Sequence, residues 1–127
     1  MNSKKFFIQF PLEGEYLTTI RLTTGGLCAL AGFDVDSAED YKVCVTESLL
    51  ILKRNGYTRA NVTFTVGETL ACQVVGEELG APEEDRIEDE ISLALLSALL
   101  GNVDVDKTEN GDVQGIRFEG YLWQTKE

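Results

Sequence analysis

Two tight turns, each flanked by strand-like segments, constrain this chain more than any other feature. Residues 60–66, Ala-Asn-Val-Thr-Phe-Thr-Val, alternate, so Val62, Phe64 and Val66 fall on one side of an extended chain. Gly67-Glu68 supplies a turn, and residues 69–75 are expected to pair back. Farther on, Asn110-Gly111 separates a strand over 103–108 from a last strand over 113–122. Hairpin connections make neighbouring strands antiparallel, so the sheet is expected to be mixed or antiparallel.

The remaining segments fill in around these hairpins. Residues 6–10 read as a first strand stopped by Pro11. Residues 14–31 read as a helix, with Tyr16, Leu17, Ile20, Leu27, Leu30 and Ala31 roughly on one face. Gly25-Gly26 interrupts that pattern, at a cost of ~1 kcal/mol per glycine relative to Ala, and predicts a bend or close packing. The next helix begins at Ser37 as N-cap, with Asp40 three residues on. Its core stripe is Tyr41, Cys44, Val45, Leu49 and Leu52, and Gly56 ends it after Lys53, Arg54 and Asn55. Residues 76–90 read as a loop, and residues 91–100 as a short apolar helix stopped by Gly101. The order is strand, helix, helix, strand, strand, helix, strand, strand. It predicts one α+β domain over 1–127, a two-layer sandwich with about three helices on one face of the sheet.

Charge and residue usage narrow the chemistry. The chain carries 22 acidic and 11 basic residues in 127, a net charge of −11. Nucleic acids and anionic membranes are poor partners for such a surface, because binding there relies on Lys and Arg meeting phosphates. A basic protein partner fits it. There is no histidine, which removes the commonest general base and metal ligand. Cys28, Cys44 and Cys72 lie apart among apolar residues and read as buried thiols of a reducing compartment. No apolar run is long enough to span a membrane, and the N-terminus does not read as a signal peptide; a cytoplasmic location is expected.

Several local patterns carry a resemblance. Ile20-Arg21 followed by Ala29-Leu30-Ala31-Gly32-Phe33, the run from Asp40 through Glu47 to Ser48, and Leu93 to Val103 with its following Asn-Gly hairpin occur in sequence. In that order they resemble the anti-sigma-factor serine kinases, a bacterial branch of the GHKL ATPases with the histidine-kinase-like fold, over about residues 6–122. Such kinases present a Glu and, four residues later, an Asn from one helix face, the Asn holding the Mg²⁺ that bridges the ATP phosphates. Here Glu47 matches the Glu, a candidate catalytic base, and Ile51 stands where the Asn would be. An aliphatic side chain offers no oxygen to Mg²⁺. The family's Asp-x-Gly-x-Gly box aligns with residues 76–80, where Gly76 replaces the adenine-reading Asp, Glu78 replaces the middle glycine, and Gly80 fits. Its Gly-x-Gly-Leu turn aligns with residues 90–93, with Glu90 and Ser92 in place of the glycines. Between these boxes, residues 77–90 hold eight carboxylates against Arg86, a barrier to polyphosphate.

The resemblance implies a sigma factor or an anti-anti-sigma protein of the STAS type as partner, with a homodimer allowed. Its altered boxes imply a regulator that acts by binding protein and whose ATP site is degenerate, with no cofactor and no metal. Three other readings stay open. One is an active, divergent serine kinase using ATP and Mg²⁺. Another is a sensor whose pocket, lined by Ile51, takes an apolar ligand. The last is a structural subunit of a dimer. At single positions, Glu47 reads either as a base or as a helix residue that is solvated or paired with Arg54. Gly80 reads as a nucleotide contact or a loop glycine. The acidic segment reads as a solvated loop or a docking surface for a basic partner. Trp123, with Tyr121, reads as a core edge or an interface anchor.

Overall fold

The computed structural model describes residues 4–83 and 87–121. Eight elements follow in the expected order: β1 (Lys4–Pro11), α1 (Gly14–Leu30), α2 (Val35–Arg54), β2 (Tyr57–Val66), β3 (Thr69–Leu79), α3 (Ile87–Leu100), β4 (Val103–Lys107) and β5 (Val113–Tyr121). The five strands form one sheet in the order β1-β2-β3-β5-β4, with β1 and β4 at its edges. Every pairing is antiparallel. The two hairpins join β2 to β3 and β4 to β5, where the turn residues place them. Trp123 lies outside the described residues.

Alternation decides which face of the sheet is covered. Ala60, Val62 and Phe64 of β2, Leu70, Cys72 and Val74 of β3, and Ile116 and Phe118 of β5 point into one core. From α2, Tyr41, Cys44, Val45, Leu49 and Leu52 meet them, the stripe expected from helical spacing, joined by Ser48 and Ile51. Tyr41 anchors this layer. Its hydroxyl donates to the Leu70 carbonyl oxygen at 2.7 Å, and its ring packs edge-on against Phe33 and Phe118. All three cysteines are buried free thiols in the same core. Desolvation raises each pKa, to about 11 for Cys28 and about 12 for Cys44, and upward for Cys72 as well.

The structure corrects several expectations. Helix α1 runs unbroken through Gly25-Gly26; a Cβ at Gly25 would make ordinary contact with the Lys42 stem at 3.4 Å. Its buried side is Ile20, Thr24, Leu27 and Cys28, while Tyr16 and Leu30 face solvent. Thr24 enters the core because its hydroxyl donates to the Ile20 carbonyl oxygen at 2.8 Å. Just past the end of α1, Gly32 holds a φ of 88° that lets Phe33 N–H reach the Cys28 carbonyl at 3.0 Å. Helix α2 starts earlier than Ser37: Asp34 is its N-cap, accepting from the Ser37 amide at 2.8 Å. Pro11 is the last residue of β1, not a stop before its end, which an edge strand tolerates. Residues 76–79 belong to β3, and residues 87–90 to α3, so the expected loop over 76–90 is shorter at both ends.

Candidate functional site

The site is built where the last two turns of α2 face the first turns of α3. Glu47, Leu50 and Arg54 project from one side of α2, at the three- and four-residue steps that align on a helix. Helix α3 opens with Glu88, Asp89 and Glu90, and α2 closes with Lys53 and Arg54. Both arrangements suit the helix dipoles, with acids at an N-terminus and cations at a C-terminus. Glu47, Leu50, Arg54, Glu88, Ile91 and Ser92 line an open cleft of about 280 Å³ between the two helices.

A continuous set of hydrogen bonds ties these residues together. Arg54 Nε donates to Asp89 Oδ1 at 2.7 Å, and Arg54 Nη2 donates to Ser92 Oγ at 2.9 Å. Ser92 Oγ in turn donates to Glu47 Oε1 at 2.6 Å. On the other side, Asn55 Nδ2 donates to Asp89 Oδ2 at 2.7 Å and to the Ile51 carbonyl oxygen at 2.8 Å. The Asn55 Oδ1 accepts from the Val113 amide at 2.9 Å. One carboxamide therefore joins the end of α2, the start of α3 and the start of β5. The Arg54 and Asp89 side chains are only 11% and 13% exposed, so their charges face each other in a weakly screened setting. Glu88 adds a looser contact to Arg54 at 3.7 Å.

The residues singled out in the sequence fall into three places. Glu47 and Ser92 are brought into direct contact in the cleft. Glu47 is thus paired with Ser92, while Arg54 takes Asp89, and Glu47 and Arg54 are joined by a bridge through the Ser92 hydroxyl. Ile51 is fully buried in the core cluster. Gly76, Glu78 and Gly80 make their contacts around β2 and the end of α2. A Cβ on Gly76 would come within 2.4 Å of Tyr57 Cγ, so the ring occupies the space a side chain would need. Glu78 holds a φ of 59°, the left-handed region that glycine adopts most easily. Thr58 Oγ1 donates to its carbonyl at 3.0 Å, and Arg59 Nη1 to its carboxylate at 2.9 Å. The Gly80 amide donates to the Gly56 carbonyl at 2.6 Å, and the Glu83 amide to the Arg54 carbonyl at 2.9 Å. Residues 80–83 are strapped to the end of α2.

These contacts also revise the acidic segment. Asp89 meets Arg54 and Asn55, Glu78 meets Arg59, and Glu77 accepts from Asn61 at 2.9 Å. Donors from α2 and β2 therefore answer part of the negative charge of this segment, of which residues 84–86 lie outside the described residues. Sequence reasoning passed over Asn55 and Asp89. An Asn before Gly reads as a routine helix ending, and an Asp among acids reads as part of a solvated loop. The one signal that could have found them is the coincidence of a cationic α2 end with an acidic segment ahead of an apolar helix.

Chemically, the cleft offers a carboxylate that accepts from a hydroxyl, with a guanidinium donating to that same hydroxyl. This arrangement can hold a proton donor or a cationic group at Glu47. Among the described residues, no group of three or more His, Cys, Asp or Glu is placed to hold a metal ion. No described helix is long and apolar enough to cross a membrane.

No family model matches the chain. Over 63 residues it is 36% identical to the serine-protein kinase RsbW of Staphylococcus aureus strains bovine RF122 / ET3-1 and MRSA252, and equally to that of strain JH9. The matched stretch is 48% of this chain and 40% of each of those curated relatives, so the likeness covers less than half of either protein. With its five-stranded antiparallel sheet and three helices, the chain is an α+β protein similar, over about half its length, to serine-protein kinase RsbW.

Proposed function

We propose that this chain is a cytoplasmic regulator of the anti-sigma type, acting by binding protein partners, with its nucleotide-handling positions turned over to structure. The partners are a sigma factor or an anti-anti-sigma protein of the STAS type, and a homodimer is compatible with this role. The reading draws its family from the partial likeness to serine-protein kinase RsbW. The observation that carries it is the closed chain Arg54–Ser92–Glu47, in which the candidate base accepts its hydrogen bond from within the protein.

The residues present do not suit ATP and Mg²⁺. Ile51 is fully buried and offers no side-chain oxygen. The Gly76 position is covered by Tyr57, and the Gly80 amide is taken by Gly56. Three carboxylates stand in the first turn of α3, where phosphate would need to approach the amides.

Thermal unfolding with and without millimolar Mg-ATP tests this reading. A ligand at 100 times its Kd adds ~2.7 kcal/mol, which raises Tm by several degrees in a domain of this size. No shift is expected, and a clear upward shift overturns the reading. It would restore the alternative of a divergent serine kinase, which one observation favours: Glu47 lines a cleft that is open to solvent.

A further inference from the structure

We infer that the α2–α3 cleft is a docking groove for a basic, amphipathic helix of a partner protein. This rests on the protein-binding reading above and assigns its surface and its partner's chemistry. Helix α3 turns an apolar ridge away from the core: Ile87, Ile91 and Leu95 are 63%, 66% and 37% exposed. They are spaced four residues apart, so they form one stripe about 12 Å long, the length of two helical turns. Half-buried Leu50 of α2 faces the same cleft as Ile91. A helix laid along this ridge would bury side chains that the fold itself leaves in water.

The rim fixes the sign of that helix. Glu47 and Glu88 line the cleft beside Arg54, and α3 opens on the run Glu88, Asp89 and Glu90. Arg54 and Asp89 answer each other's charge within the wall, so the outward charge comes from the exposed acids beside them. The Glu88 side chain is 71% exposed, and Glu90 is exposed as well. The chain's net charge of −11 extends the attraction beyond contact range. An incoming helix with Leu-like residues at three- and four-residue spacing and Lys or Arg on its flanks complements both features. An acidic helix meets repulsion, and a polar one leaves the ridge uncovered.

The test uses the full chain and a fluorescein-labelled synthetic peptide of about four helical turns, with Leu along one face and Lys on the flanks. Fluorescence anisotropy should report saturable binding that weakens as salt rises. Ile91→Ser should weaken it about tenfold, the effect of losing one buried aliphatic contact. Glu88→Gln with Glu90→Gln should flatten the salt dependence. Leu22→Ser, at an exposed position on α1, should change nothing. Equal binding of a permuted peptide of the same composition overturns the proposal, because charge alone would then suffice. So does an Ile91→Ser chain that binds as well as the original, or one whose only change in sedimentation is lost self-association. Absence of peptide binding without Mg-ATP stabilisation removes this groove and leaves the regulator reading standing. Mg-ATP stabilisation removes that reading whatever the peptide does.

Discussion

Asn55 accepts the Val113 amide hydrogen bond at 2.9 Å, linking the end of α2 to the first residue of β5 across 58 positions of sequence. The same side chain donates to Asp89 and to the Ile51 carbonyl, and it is buried. Replacing it with Ala strands a buried amide and removes a donor from a carboxylate. Each loss costs ~1–3 kcal/mol when the group is left unsatisfied. Asn55→Ala should therefore lower the unfolding free energy by about 2 kcal/mol or more, read from the urea midpoint at unchanged slope. Asn55→Asp should be worse, since it sets a second carboxylate against Asp89.

Gly76 is held as glycine by Tyr57. The ring atom 2.4 Å from a hypothetical Cβ cannot stay in place, so Gly76→Ala should cost ~1–3 kcal/mol, the range for overpacking. In a Tyr57→Ala background the same change should cost much less, because the clash has gone. Additive losses in that double-mutant cycle would sink this account of the glycine.

Glu78 sits in a left-handed conformation that costs a non-glycine residue ~1–2 kcal/mol. Its bonds to Thr58 and Arg59 are exposed, so they offset little of that. Glu78→Gly and Glu78→Ala both lose these bonds and differ only in backbone freedom. The glycine variant should be the more stable of the two by about 1 kcal/mol, measured by chemical denaturation side by side.

The buried thiols make stability depend on alkaline pH. Burial raises Cys28 to about 11 and Cys44 to about 12 from 9.0, so the folded protein keeps these protons when the unfolded chain has lost them. A raised folded pKa gives stability that is complete below about 9 and is lost as pH climbs through the folded values. Urea midpoints should hold level up to about pH 8.5 and fall from there toward pH 11. A Cys44→Ala chain should fall less steeply. A midpoint that rises over that range would contradict the burial of these groups.

The order of elements could be read from sequence because it depends on local signals. The strand alternation over 60–66, the stripe from Tyr41 to Leu52 and the Gly56 and Asn110-Gly111 stops each act within a few residues. What stayed hidden depends on distant partners. Gly76 and the acids after it resembled a loop until Tyr57 and Arg59 were placed across from them on β2. Glu88 and Asp89 resembled solvated loop charges because Arg54, some 35 positions before Asp89, gives no local sign of meeting them. Glu47 and Ser92 were each picked out for a role in chemistry, yet their mutual contact follows only from how α3 lies on α2.

The strand order has a colloidal consequence as well. Each edge of an open sheet carries unpaired amides and carbonyls that could recruit another chain. Here β1 offers exposed Lys4 and Lys5 at one end and Pro11 at the other, and β4 offers Asp104, Asp106 and Lys107. An added strand would have to desolvate those charges or fit beside a residue with no N–H. Both rims are thus guarded against indiscriminate growth, which leaves helix surfaces as the easier place for this molecule to meet others.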